Sequence, residues 1–267
     1  MKLRTLILAT ASAIALSGAA FAQEFNFSTD AFVAGTNNTD ATLGGQFSAS
    51  VTQPVGDNLD ALAGLRFNLS TEAIDGFYVG LESGPFYVTY GDWQDIFIVG
   101  THMRTVNGNP VTMTTLANPA LADTQLTAGY GDFAVMAGFR NNAVNADVQN
   151  VQASGVFSLP YEVDVSLAVD YNTITNRTTY GAGASTTLLN DVSLYGAITY
   201  DTQAAYELGV GYAGFDAYVA GNEADTVRFV GAGYTYDLAE NAALWVTTSY
   251  DVTNQDTKHA AGFSVKF

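Results

Sequence analysis

Enzymatic chemistry needs ionisable or nucleophilic groups held close together, and this chain of 267 residues offers few such sets. It has two histidines, His102 and His259, and no cysteine. His259 adjoins Lys258 and follows Asp256 by three residues, the nearest thing to an acid–base set. A general base needs a positioned partner and a proton within reach, and this spacing supplies neither, so no catalytic residue is expected. No His or Cys cluster has metal-ligand spacing either. Glu223 with Asp225 would offer oxygen ligands of the kind Ca²⁺ takes. Apart from that opening for calcium in an acidic connection, no cofactor is expected.

The remaining charged residues gain meaning from the elements that carry them. The dominant pattern has period two. Over 59–70 the odd positions are Leu59, Ala61, Ala63, Leu65, Phe67 and Leu69, and the even ones include Asp60, Gly64, Arg66, Asn68 and Ser70. Over 161–171 the odd positions run Tyr161, Val163, Val165, Leu167, Val169 and Tyr171, and the even ones Glu162, Asp164, Ser166, Ala168 and Asp170. Successive side chains of a strand point to opposite faces, so each segment reads as a strand with one apolar face. The opposite faces are small and polar: Gly44, Gln46, Ser48 and Ser50 on one strand, Gly181, Gly183, Ser185 and Thr187 on another. Such residues cannot build a dry core, but they can line water. The same parity puts Arg66, Glu82, Glu162, Asp164, Asp170, Glu207 and Asp216 on the polar side, six acids to one base. Arg140 reads to that side as well, near a strand end. Arg228 is undecided, because Phe229 and Val230 after it are both apolar.

Sixteen such segments can be counted, from 24–34 to 258–267, among them 132–140, 150–158, 161–171 and 226–236. Their connections alternate between tight turns (Ser83-Gly84-Pro85, Gly131-Asp132, Leu189-Asn190-Asp191, Ala213-Gly214) and generally longer polar loops (141–149, 172–177). Hydrocarbon offers no hydrogen-bond partners, so a sheet that crosses it must close on itself. Short turns at one end and longer loops at the other are the layout of a transmembrane barrel. Tyr161 and Tyr171, at the two ends of one strand, match the aromatic girdles of such a barrel. Phe86, Tyr90, Tyr130, Phe133, Phe139, Tyr200, Tyr206, Tyr212, Phe215, Tyr236, Tyr250 and Phe267 read as further interface anchors near strand ends. A soluble sandwich would need these apolar faces to meet each other. Residues 92–123 form the longest stretch without alternation, broken by Asn107-Gly108-Asn109-Pro110 and Asn118-Pro119. Loops of this length are usually functional or disordered.

Composition agrees with a membrane barrel. Charged residues make up 13% of the chain, about half the usual share in globular domains. There are 26 glycines, 15 tyrosines and 16 phenylalanines. Residues 1–22 read as a secretory signal: Lys2 and Arg4, an apolar stretch from Leu6 to Leu16, then Ala20-Phe21-Ala22, with cleavage before Gln23. The stretch is too short for a membrane-spanning anchor. One domain is expected over 23–267. Lys2 and Arg4 are two of the nine bases, so seven remain against 26 acids, a net charge of −19. Such a chain does not hold nucleic acid through phosphates, and it attracts cations.

Three stretches carry a family likeness. Residues 77–92 (FYVGLESGPFYVTYGD), 230–238 (VGAGYTYDL) and 261–267 (AGFSVKF) resemble the fourth and fifth strands, the penultimate hairpin and the closing strand of Gram-negative general porins, the alphaproteobacterial type in particular. The resemblance implies an all-β fold: a 16-stranded antiparallel transmembrane barrel in the outer membrane with an inward-folded third loop. It implies a homotrimer, in contact with outer-membrane lipid, that passes small hydrophilic solutes and ions by diffusion. A terminal Phe267 resembles the signal read by the outer-membrane assembly machinery. Residues 92–123 occupy the place of the third loop, which makes Asp92, Asp95, His102, Arg104 and Asp123 the candidate constriction residues. Arg66, Glu82, Asp164, Asp170, Glu207 and Asp216 become the candidate pore wall. The chain departs from the family at the wall, where an arginine cluster is reduced to Arg66. Its charge predicts a cation-preferring pore. The alternatives are a substrate-specific channel for a sugar or cation, with Tyr78, Tyr87, Tyr195 and Tyr218 reading inward, and a structural barrel with a plugged lumen.

Overall fold

A computed structural model describes residues 24–36, 39–92, 114, 116, 122–141, 146–188 and 192–266. The signal segment 1–22, most of the 92–123 loop with Asp95, His102 and Arg104, and Phe267 lie outside the described residues. Among the described residues there are sixteen strands and no helix. They are β1 Glu24–Thr36, β2 Thr39–Gly56, β3 Leu59–Asn68, β4 Ala73–Ser83, β5 Phe86–Gly91, β6 Thr124–Tyr130, β7 Phe133–Asn141 and β8 Ala146–Leu159. The second half comprises β9 Val163–Asn172, β10 Arg177–Leu188, β11 Val192–Tyr200, β12 Ala204–Tyr212, β13 Phe215–Asn222, β14 Phe229–Ala239, β15 Ala242–Asp251 and β16 Asp256–Lys266.

Each strand pairs antiparallel with its neighbours in sequence, and β1 closes the ring on β16, from Ser28 opposite Lys266 to Thr36 opposite Lys258. Closure leaves no strand edge, which is what hydrocarbon demands of a sheet. The strands expected from alternation are all present. Two are displaced. The segment expected at 161–171 starts at Val163, because Tyr161 and Glu162 adopt positive φ (69° and 56°) in a turn. The one expected at 226–236 is shifted three residues later, to Phe229–Ala239.

The outer face is apolar along its length, with Leu43, Leu65, Val79, Leu81, Val135, Leu167, Leu208 and Val246 all exposed. Aromatics collect at its two ends. At the short-turn end Phe86 meets Tyr130 edge-on with ring centroids 4.6 Å apart, and Phe133 meets Phe157 at 5.1 Å. Toward the other end Tyr90, Tyr171, Tyr200 and Tyr250 are exposed. Over β2–β4 the outer face dips at Ala49 and Ala63 into a depression of about 450 Å³, bordered by Phe47, Leu65, Phe67 and Phe77.

Turn chemistry sets the two ends apart. Ala213 and Gly214, both at positive φ (50° and 83°), join β12 to β13 in two residues, the conformation that matches the twist of a hairpin. At the opposite end three four-residue connections share one design. Asn68, Asn172 and Asp251 each accept hydrogen bonds, through one side-chain oxygen, from the backbone N–H groups two and three residues on, at 2.8–3.2 Å. Glu72, Asn176 and Gln255 then close the same turns at positive φ (53° to 54°). Asn222 opens its connection in the same way, to Ala224 and Asp225.

Candidate pore lumen

Parity carried through the register assigns every strand residue to the inside or the outside of the barrel. The interior row opposite Gln46 and Ser48 holds Asn68 and Arg66, and the row continues strand by strand back to β1. All six expected wall residues face the interior: Arg66 on β3, Glu82 on β4, Asp164 and Asp170 on β9, Glu207 on β12 and Asp216 on β13. Glu162 does not, since it sits in the turn before β9.

Facing the interior is not the same as meeting water. Asp164 is exposed and Glu82 and Asp216 are partly exposed, whereas Asp170 and Glu207 are 3% and 1% exposed. Asp170 accepts a hydrogen bond from Asn150 Nδ2 at 2.8 Å. Asn150, Gln152, Gln125 and Thr127 around it are buried as well. This side of the wall is therefore packed, and Ala122 lies against it beside Gly138 and Asn150.

Arg66 is offset by a residue that sequence reading missed. Its Nε lies 2.9 Å from Asp75 Oδ1, and Asn68 Nδ2 donates to the other oxygen at 3.2 Å. A bulge between β3 and β4 turns Asp75 inward; no alternation pattern marks a bulge. Of the loop residues, Asp92 performs a backbone task. Its Oδ1 accepts from the Phe77 N–H at 2.6 Å, which extends the β4–β5 ladder by one rung. Asp123 is exposed just before β6. Arg140 faces the interior opposite Asp147 at the loop end. Phe229 faces the interior and Val230 the outside, so Arg228 precedes the strand, over the Phe229 ring and 3.7 Å from Asp225. His259 faces outward with Nδ1 3.0 Å from Thr248 Oγ1. Among the described residues no three His, Cys, Asp or Glu side chains gather as a metal site would require.

The inward aromatics lie against the wall. Phe32, Tyr78, Tyr87, Tyr195, Tyr218 and Trp245 each stand directly opposite an inward glycine of the next strand: Gly44, Gly64, Gly129, Gly209, Gly231 and Gly262. A Cβ at any of these glycines would come within 2.0–2.6 Å of the aromatic side chain opposite. The rings fill the place of the absent side chains, and Tyr218 is further held by a 3.0 Å hydrogen bond to Ser249. The same pairing of an aromatic with a glycine is a known brace for sheets.

Charge is distributed unevenly along the axis. Near the short turns the interior-facing charges among the described residues are Glu24, Asp60, Glu82, Asp164, Asp216 and Asp237 against Lys266 alone, with Asp30 midway along β1. All of these are exposed or partly exposed. Asp60 stands directly opposite Glu82, an arrangement of like charges that costs stability in a sheet. Toward the loop end the interior of the described residues bears Arg66, Arg140, Arg177 and Lys258 with Asp147 and Asp256, while Asp170, Glu207 and Asp251 are buried and Asp75 is committed to Arg66.

No protein-family model and no curated protein matches the chain by sequence. Solved structures do match by shape. A triple variant of Rhodopseudomonas blastica porin superposes with a TM-score of 0.70 at 9% identity, covering 92% of this chain and 100% of that one. A second variant of the same porin gives 0.71 at 10% identity with the same coverage. At this identity the likeness concerns architecture, and the architecture is that of a porin: a closed, antiparallel, sixteen-stranded all-β barrel.

Proposed function

We propose that this chain is an outer-membrane general porin of the alphaproteobacterial type, a channel for passive diffusion of small hydrophilic solutes that prefers cations. The observation that carries this reading is the inside-out barrel: an apolar outer belt between aromatic ends, around a wall of glycine, serine, threonine and acid. Sixteen strands enclose room for an aqueous channel, which eight do not. Inward acids set a cation preference because a low-dielectric wall focuses their field. Residues 1–22 act as the export signal and Phe267 as the assembly signal. The 92–123 loop narrows the channel, with Asp92, Asp95, His102, Arg104 and Asp123 as its charged residues. The inward tyrosines brace the wall rather than form a sugar slide, since each is seated on a glycine. A calcium ion at Glu223 and Asp225 is no part of this reading, because Asp225 faces Arg228.

The protein works as a homotrimer in this reading, and the depression over Ala49 and Ala63 is the place for a subunit contact. Ala63→Trp fills it, and the expected outcome is loss of the trimer band on native gels with the barrel still folded. The channel itself is tested in planar bilayers with a KCl gradient. Stable conductance steps and a cation-selective reversal potential are expected. Absence of conductance from folded protein overturns the channel reading in favour of a plugged barrel.

A further inference from the structure

We propose that ion preference is decided at the short-turn mouth and that the lumen is electrically one-sided, so that the channel rectifies. The proposal rests on the pore reading above. Asp60, Glu82, Asp164, Asp216 and Asp237 come from five strands spread around the ring and all face the interior, each within three residues of a short turn. Their accessibility matters as much as their number. In the loop half the acids Asp170, Glu207 and Asp251 are buried and Asp75 is engaged with Arg66. Among the described residues the solvent-reached charge there comes from Arg140, Arg177 and Lys258 with Asp123, Asp147 and Asp256. Cations therefore carry nearly all the current through the acidic mouth, while anions share it in the loop half.

The sign follows from conservation of ions. When cations are driven from the acidic mouth into the loop half, they reach the boundary faster than they leave it. Anions arrive there from the other side and are held back by the acids, so salt accumulates and conductance rises. The opposite polarity depletes the boundary. More current should flow when the short-turn side is positive. The effect should be clear at 0.1 M salt, where the screening length is about 10 Å, and fade at 1 M, where it is about 3 Å.

The experiment is single-channel recording of the full protein in symmetric 0.1 M KCl, with orientation known. The chain has no cysteine, so Asn241→Cys in the β14–β15 turn gives a single thiol for a biotin tag. Streptavidin added to one bath then reports which end faces it. The current ratio between polarities should exceed one with the short-turn side positive. It should fall toward one, with the cation preference reduced, in the fivefold Asp60→Asn, Glu82→Gln, Asp164→Asn, Asp216→Asn, Asp237→Asn variant. The pair Asp164→Asn and Asp237→Asn, both on exposed residues, should give a partial fall and serves if the fivefold variant does not fold. Arg140→Gln with Arg177→Gln should leave the cation preference in place. A conducting channel with equal currents, with the opposite sign, or with a ratio unmoved by the acid variants overturns the inference. A folded protein that does not conduct overturns the pore reading instead.

Discussion

At the scale of single residues, the glycines opposite aromatics give the sharpest test of the lumen. Gly209 has no room for a methyl group, because Cβ would come to 2.0 Å from the Tyr195 ring. Gly209→Ala must push that ring off the wall. The expected result is a smaller unit conductance with unchanged ion preference and a loss of about 1–3 kcal/mol in folding stability from overpacking. Gly209→Ala with Tyr195→Ala should recover the conductance. A single variant that conducts normally would show that the ring finds another place. Arg66 offers a second test. Asp75→Asn should cost no more than about 1 kcal/mol, since both side chains are partly exposed and the pair is screened. It should leave the cation preference in place, because Arg66 lies in the loop half of the lumen. Inward facing of the six wall residues followed from parity alone. Asp75 did not, because a bulge broke the count, and neither did the burial of Asp170 and Glu207, which depends on what packs over them.

At the scale of elements, strands and turns make separate demands. A residue in the outer belt must suit hydrocarbon. Leu208, exposed midway along β12, should lose about 2–4 kcal/mol on change to Arg if it lies near the bilayer midplane. Urea titration of refolding into lipid vesicles measures this, with the inward Ala197→Ser as the silent control. The loop-end turns rely instead on their opening Asn or Asp. Asn172→Ala removes the acceptor for the Ile174 and Thr175 N–H groups and should cost about 1 kcal/mol in the same titration. This turn design could have been found in the sequence as Asn or Asp followed four residues later by Glu, Asn or Gln. It was missed because each turn alone looks like any polar loop, and only their common geometry reveals the pattern.

At the scale of the whole molecule, closure is the condition for existence in a membrane. Truncation before Asp256 removes β16 and exposes the edges of β1 and β15, whose pairing groups hydrocarbon cannot satisfy. The expected outcome is loss of the heat-sensitive folded band on gels and no insertion into vesicles. Folded, inserted protein after this truncation would mean that the remaining strands close by themselves.

Strand count, the face taken by residues away from bulges and turns, and the alternation of short and longer connections were determined by the sequence itself. These are local properties: pleat fixes parity within a strand, and Gly, Pro, Asn and Asp mark where it stops. The tertiary structure alone decided lateral register and axial level. Register depends on turn lengths and bulges accumulated around a ring that must meet itself, so no single segment contains it. It is register that sets six inward aromatics opposite glycines and Asp75 beside Arg66. It is also register that gathers the accessible acids at one mouth while burying Asp170 and Glu207 within the wall.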